Sequence, residues 1–274
     1  MARSVRPLGP LCISGVLLVV APSGAQQPRP VLEIFAAGSL RAALTEVAQG
    51  FEQSHGIELR MTFGASGLLK DRIVAGEAPQ VFASANMEHP RALVSAGKAA
   101  EVLPFARNAL CALAAPTFDL RGKSLAARLL DGDVRVGTST PKADPSGDYA
   151  FRMFDLIEST GAAGSGAAAT LKGKALQLTG GPDSPRPPAG RNAYGHLVAS
   201  GQADVFITYC TNATLARRDE PQLRVLQVPE AINVSARYGL ALLGPAEAPA
   251  QAYARYLLGP QGQAVLASYG FSPP

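Results

Sequence analysis

The chain is 274 residues long, 47% apolar and 17% charged, with 28 glycines, 22 prolines, three cysteines and no tryptophan. That length suits two lobes of roughly 100–150 residues or one large α/β domain, and the apolar share supports a full core. The glycine and proline content predicts many sharp loops, while a formal charge of +4 with no Lys/Arg run among aromatics excludes a nucleic-acid partner.

Arg3 and Arg6 precede an apolar stretch from Leu11 to Ala21, followed by Pro22-Ser23-Gly24-Ala25. A basic start, a short apolar segment and small residues at Ser23 and Ala25 predict a secretory signal peptide over residues 1–25. The stretch is short of the ~20 residues a membrane span needs, so an uncleaved anchor is the weaker reading. Cys12 lacks a small residue before it and does not read as a lipoprotein site. The mature protein is expected in the periplasm. It keeps Cys111 and Cys210, each in an apolar run. An oxidising compartment permits a disulfide, but nothing in the sequence brings their Cα atoms together, and two separate buried thiols are the favoured reading.

After the leader the pattern is β-α-β-α-β. Residues 31–35 form a short apolar strand. Apolar residues at 40, 43, 44, 47, 48 and 51 trace one stripe of a helix, with Ser39 placed to cap it. Ile57, Leu59, Met61 and Phe63 alternate with polar residues, as in a strand with one buried face. Gly64-Ala65-Ser66-Gly67 turns into a second helix, and residues 81–83 form a third strand. Residues 109–115 are the next strand, and the pattern then restarts. A strand at 134–137 is followed by Asp144-Pro145-Ser146-Gly147 and a helix carrying Ala150, Met153, Phe154 and Ile157 on one face. A strand at 175–178, a Gly/Pro-rich loop from Gly180 to Gly190, a helix around Tyr194 and a strand at 205–209 complete the second run. The tail from about residue 249 to 268 is amphipathic helix interrupted at Gly259-Pro260. Strands alternating with helices imply mostly parallel sheets covered on both faces. The restart near Cys111 predicts two lobes, residues 27–110 plus 211–274 and residues 111–210, with a ligand cleft between them.

Three turns share one arrangement: a strand ends, small residues including a serine follow, and a helix begins. They contain Ser39, Ser66 and Ser146. Such turns lie at the carboxyl ends of the strands, where doubly wound sheets bind ligands. Each offers a hydroxyl, free N–H groups and the positive end of a helix dipole, the components of an oxyanion site. Competing motifs fail. The sequence after Ser66 is Gly67-Leu68, so it lacks the final glycine of a nucleophile elbow. No phosphate-binding loop or dinucleotide fingerprint is present, and no cysteine–histidine spacing suits a metal.

The segments Ile34-Phe35-Ala36-Ala37-Gly38-Ser39-Leu40, Thr62-Phe63-Gly64-Ala65-Ser66-Gly67 and Val81-Phe82-Ala83-Ser84-Ala85 resemble the periplasmic molybdate-binding proteins of bacterial ABC importers. So does the ending Tyr256-Leu257-Leu258-Gly259-Pro260-Gln261-Gly262 with Tyr269-Gly270-Phe271. The resemblance implies a two-lobed periplasmic binding protein fold of type II that closes on a tetrahedral oxyanion. It also implies a monomer without cofactor or catalytic activity, delivering molybdate or tungstate to the transmembrane subunits of an ABC permease. Metal would enter only inside that oxyanion. By this resemblance Ser39 and Ser66 match hydroxyl ligands, Ser146 a backbone N–H donor, and Tyr209 a phenol donor. Three positions depart from the pattern, one of them Cys210 directly after the tyrosine. Gln80 stands where the family often has Asp, and Arg191 stands where it has an uncharged backbone donor. Arg191 is therefore a candidate ligand contact that puts the choice of anion in question, the alternative being a solvated side chain that points out of the cleft. The alternatives are the same fold with another oxyanion or small organic anion, and a secreted hydrolase using Ser66.

Overall fold

In the computed structural model, residues 1–2, 29–245 and 247–274 are described. The signal peptide expected over residues 1–25 lies almost wholly outside them, and no described helix is long and apolar enough to cross a membrane.

The first sheet collects β1 (Val31–Ala37), β2 (Glu58–Gly64), β3 (Val81–Ser84), β4 (Ala99–Asn108) and β10 (Ala236–Leu243), in the order β2-β1-β3-β10-β4. The second collects β5 (Leu110–Ala114), β6 (Val136–Ser139), β7 (Leu176–Thr179), β8 (Val205–Tyr209) and β9 (Arg224–Gln227), in the order β7-β6-β8-β5-β9. Each begins with three parallel strands and continues with an antiparallel one, β10 or β5. The helices are α1 (Arg41–His55), α2 (Ser66–Val74), α3 (Glu88–Ser95), α4 (Leu125–Leu130), α5 (Pro145–Ser159), α6 (Ala167–Lys174), α7 (Ala193–Ala199), α8 (Cys210–Asp219), α9 (Ala248–Leu258) and α10 (Pro260–Ser268). The result is the expected two-lobed α/β architecture.

The apolar stripes behave as their periods require. Ala43, Leu44, Val47 and Phe51 of α1 are buried, as are Ala150, Met153, Phe154 and Ile157 of α5. The tail splits into α9 and α10 at Gly259-Pro260, because proline cannot donate within a helix but is well placed at a first turn. Seven elements are not placed by the sequence reading above: α3, β4, α4, α6, α8, β9 and β10. In β4 the pairing with β10 shifts register beside Pro104, so proline sits at a bulge in a strand that sequence alternation does not reveal.

The chain crosses between lobes twice. The first crossing is at Ala109, between β4 and β5. The return differs from the expected one just after Tyr209. β9 pairs antiparallel with β5 (Ala112 opposite Leu226), and α8 buries Ala213 and Ala216 against Leu113 and Phe206. Residues 211–227 thus stay with the second sheet, and the return runs between Gln227 and Ala236. The physical reason is that α8 has an apolar face with nowhere else to bury it. The two crossings are tied together: the Asn233 side-chain carbonyl accepts from Leu110 N (3.0 Å), and its amide donates to Leu110 O (3.0 Å).

The cysteine expectation is also corrected. Cys111 and Cys210 form a disulfide, with Cα atoms 4.8 Å apart. β5 and β8 are neighbours, and Cys111 lies opposite Thr208. This places the residue just after Tyr209 within bridging distance, which linear spacing could not indicate.

Candidate functional site

The two lobes enclose a cleft of about 700 Å³. Ser39, Ser66, Arg191 and Tyr209 all line it. Ser146 does not lie on its wall; Asp144, two residues earlier, does.

Ser66 opens α2 and is almost fully buried. Its Oγ accepts from Ala85 N at 3.1 Å, which leaves the hydroxyl proton free to donate elsewhere. Ser39 does not cap α1 as expected. It sits in a 3-10 turn, Gly38–Leu40, inserted between β1 and the helix, and makes no cap bond. Its Oγ instead lies 3.0 Å from the hydroxyl of Tyr238, which also receives the Asn108 amide at 3.4 Å. Tyr209 ends β8. Its hydroxyl reaches toward Ala85 O at a long 3.5 Å, and its ring packs against Tyr149 and Tyr238. Burial raises the Tyr209 phenol well above its ordinary range, so it remains a neutral O–H donor.

The lobes touch beside this cleft. Gly67 N donates to Ala143 O at 2.8 Å, joining the start of α2 to the segment before α5. A side chain at residue 67 would collide with the carbonyls of Lys142 and Ala143, so glycine is required for this approach.

Two expected donors are already in use. Ser146 N donates to Asp144 Oδ1 at 3.0 Å, so Asp144 caps α5 and occupies the N–H assigned to an oxyanion. The Ser146 hydroxyl is fully buried and without a hydrogen-bond partner. The Arg191 guanidinium pairs with the carboxylate of Glu220, and its backbone N–H donates to Pro188 O at 3.1 Å. The expected charge at the cleft wall is therefore largely neutralised by Glu220, just after α8. Arg41, Arg186 and Arg218 also line the cleft, with no carboxylate at ion-pair distance among the described residues. The Arg41 guanidinium lies over the face of Phe63, 4.6 Å from the ring centre.

Sequence reasoning missed Asp144, Tyr238 and Asn108. Only Asp144 had a local signal: Asp followed by Pro marks a helix N-cap and first turn. Its carboxyl is pushed up to about 6, because burial outweighs the Ser146 N–H and the nearby Ser139 hydroxyl, and Asp148 adds a like charge. None of the three histidines is bonded to Ser66. His55 stacks on Phe51, His196 lies on α7, and His89 opens α3 with a buried, unpartnered Nε2. Among the described residues no group of carboxylate, histidine and cysteine side chains could hold a metal ion.

Residues 32–272 match the family described as bacterial extracellular solute-binding protein. The chain belongs to that family. It is 38% identical over 211 residues to an uncharacterized protein, PM1146, of Pasteurella multocida, covering 77% of this chain and 86% of that one. It is 26% identical over 251 residues to the molybdate-binding protein ModA of Escherichia coli, covering 88% of each. Among solved structures it resembles the sulfate-binding protein SubI of Mycobacterium tuberculosis, with a TM-score of 0.73, 20% identity, and coverage of 89% of this chain and 87% of that one. This last likeness shows the fold.

Proposed function

We propose that this protein captures a small oxyanion in the periplasm and delivers it, as a monomer, to the transmembrane subunits of an ABC importer. The carrying observation is that Ser39, Ser66 and Tyr209, contributed by both lobes, line one cleft at the carboxyl ends of the strands. Hydrogen bonds to a charged acceptor contribute roughly 1.5–3 kcal/mol each, so a handful approaches the ~8 kcal/mol of a micromolar complex. Molybdate and tungstate are the first candidates, on the resemblance of the serine turns and the ModA relative. The leader read over residues 1–25 and the extracellular family support export.

A second reading within the same fold, another oxyanion or a small organic anion, has observations of its own. Asp144 has taken the Ser146 N–H, four arginines line the cleft, and its volume lies within the roughly 300–1,000 Å³ typical of small-molecule pockets. The hydrolase alternative has no support at Ser66, whose hydroxyl accepts from a backbone N–H and is bonded to no histidine.

A thermal-shift panel of molybdate, tungstate, sulfate, phosphate and small carboxylates tests the proposal. A ligand at 100 times its Kd adds about 2.7 kcal/mol of stability. A rise with at least one oxyanion is the expected outcome; no rise with any of them refutes it.

A further inference from the structure

We propose that Asp144 selects which oxyanion the cleft takes, favouring one that still carries a proton, such as hydrogen phosphate or hydrogen arsenate, over fully ionised molybdate, tungstate and sulfate. The inference rests on the oxyanion reading above. It starts from position. Asp144 is on the cleft wall, and the Gly67–Ala143 bond holds the starts of α2 and α5 together, so Asp144 and Ser66 border the same space. The carboxylate is also held in place. Oδ1 accepts from Ser146 N, and a Cβ at Gly180 would lie 2.6 Å from Oδ2, so the group is wedged between the α5 N-terminus and the loop backbone.

Among the described residues no cation pairs with this carboxylate, although Arg41, Arg186 and Arg218 line the same cleft. Asp148 faces it from its own helix, and Tyr194 of α7 and Tyr209 of β8 face it as neutral phenols. Ser139 of β6 supplies only a hydroxyl. The Arg191 guanidinium is paired with Glu220. Asp144 is therefore an acceptor in a place that the family resemblance would give to a donor.

A carboxylate and a fully ionised oxyanion both only accept, so they repel unless a proton lies between them. Hydrogen phosphate brings that proton on its own oxygen and donates it to Asp144. Molybdate or sulfate requires Asp144 to take a proton from water. Above the raised pKa of the buried acid, about 6, that uptake weakens binding about tenfold for each unit of pH.

The test is calorimetry of the wild type and Asp144→Asn with inorganic phosphate, molybdate and sulfate at pH 6, 7 and 8. Asn caps a helix as well as Asp but turns an amide donor toward the anion. Asp144→Ala is the companion variant, which frees Ser146 N. In the wild type, phosphate is expected to outbind molybdate at pH 8, and molybdate Kd to rise about tenfold per pH unit. Both variants are expected to bind molybdate at least tenfold more tightly at pH 8 and to lose the slope. The same phosphate-to-molybdate ratio and the same slope in all three proteins would overturn the role of Asp144 while leaving the oxyanion site standing. A wild type that binds none of the three anions would overturn the oxyanion reading and this inference with it.

Discussion

The turn after β2 and the turn after β6 look alike in sequence, each with small residues, a serine and a following helix, yet they come out differently. At the first, Ser66 accepts a backbone N–H from Ala85 and keeps its own proton to give away. At the second, Asp144 stands just before the helix and consumes the N–H of Ser146, while the Ser146 hydroxyl is buried away from the cleft. A helix start can bind an anion only if no local side chain has already taken that role. The turn of the first lobe thus brings a hydroxyl donor to the cleft, and the matching turn of the second brings the acid of Asp144.

The largest effect that would sharpen this comparison comes from the disulfide, which belongs to the second lobe alone. Replacing Cys111 and Cys210 by serine removes a crosslink spanning 99 residues. We expect a loss of about 2–4 kcal/mol in denaturant unfolding. Unfolding of the double variant that matches the wild type would show that the second lobe does not depend on the tie.

Next comes the contact that brings the two turns together. Gly67→Ala places a methyl against the carbonyls of Lys142 and Ala143, so the lobes cannot approach fully. Anion affinity is expected to drop at least tenfold, with small-angle scattering showing a more open molecule. Unchanged affinity would mean that closure does not use this contact.

The serines test the comparison directly. Ser66→Ala is expected to cost about 1.5–3 kcal/mol of anion binding by calorimetry. Ser39→Ala should cost less, because its hydroxyl is shared with Tyr238. Ser146→Ala should leave affinity unchanged, since neither its hydroxyl nor its N–H is available to the cleft. A loss at Ser146 equal to that at Ser66 would break the contrast between the turns.

The smallest effect is expected at Arg191. The buried carboxylate of Glu220 already holds its half-exposed guanidinium, which leaves little of that charge for the ligand. Arg191→Ala should shift anion affinity and its salt dependence little. A large loss, steep in salt, would show that the guanidinium leaves Glu220 for the ligand.

Asp144 also predicts a pH signature in stability. Its folded pKa is raised, to about 6 from 3.8, so the folded state holds the proton more tightly than the unfolded chain. Its contribution is full at low pH and is lost as pH rises from about 4 through 6. Urea midpoints of the wild type minus those of Asp144→Asn should fall across that window; a flat difference would mean that the acid is not desolvated.

Much of this protein is legible in its sequence, because periodic burial is a local property. The α1 and α5 stripes, the alternation of β2 and the break at Gly259-Pro260 all follow from residues within a turn or two of one another. So does the presence of serines at the strand ends. What only the tertiary structure decided are relations between distant segments. Linear order could not show that Cys111 meets Cys210, that α8 and β9 stay with the second sheet, or that Glu220 holds Arg191. The insertion of a 3-10 turn handed Ser39 to Tyr238, 199 residues away, instead of to its own helix. Hydrogen-bond donors are used up by whichever acceptor lies within about 3 Å, and that proximity is set by packing rather than by motif.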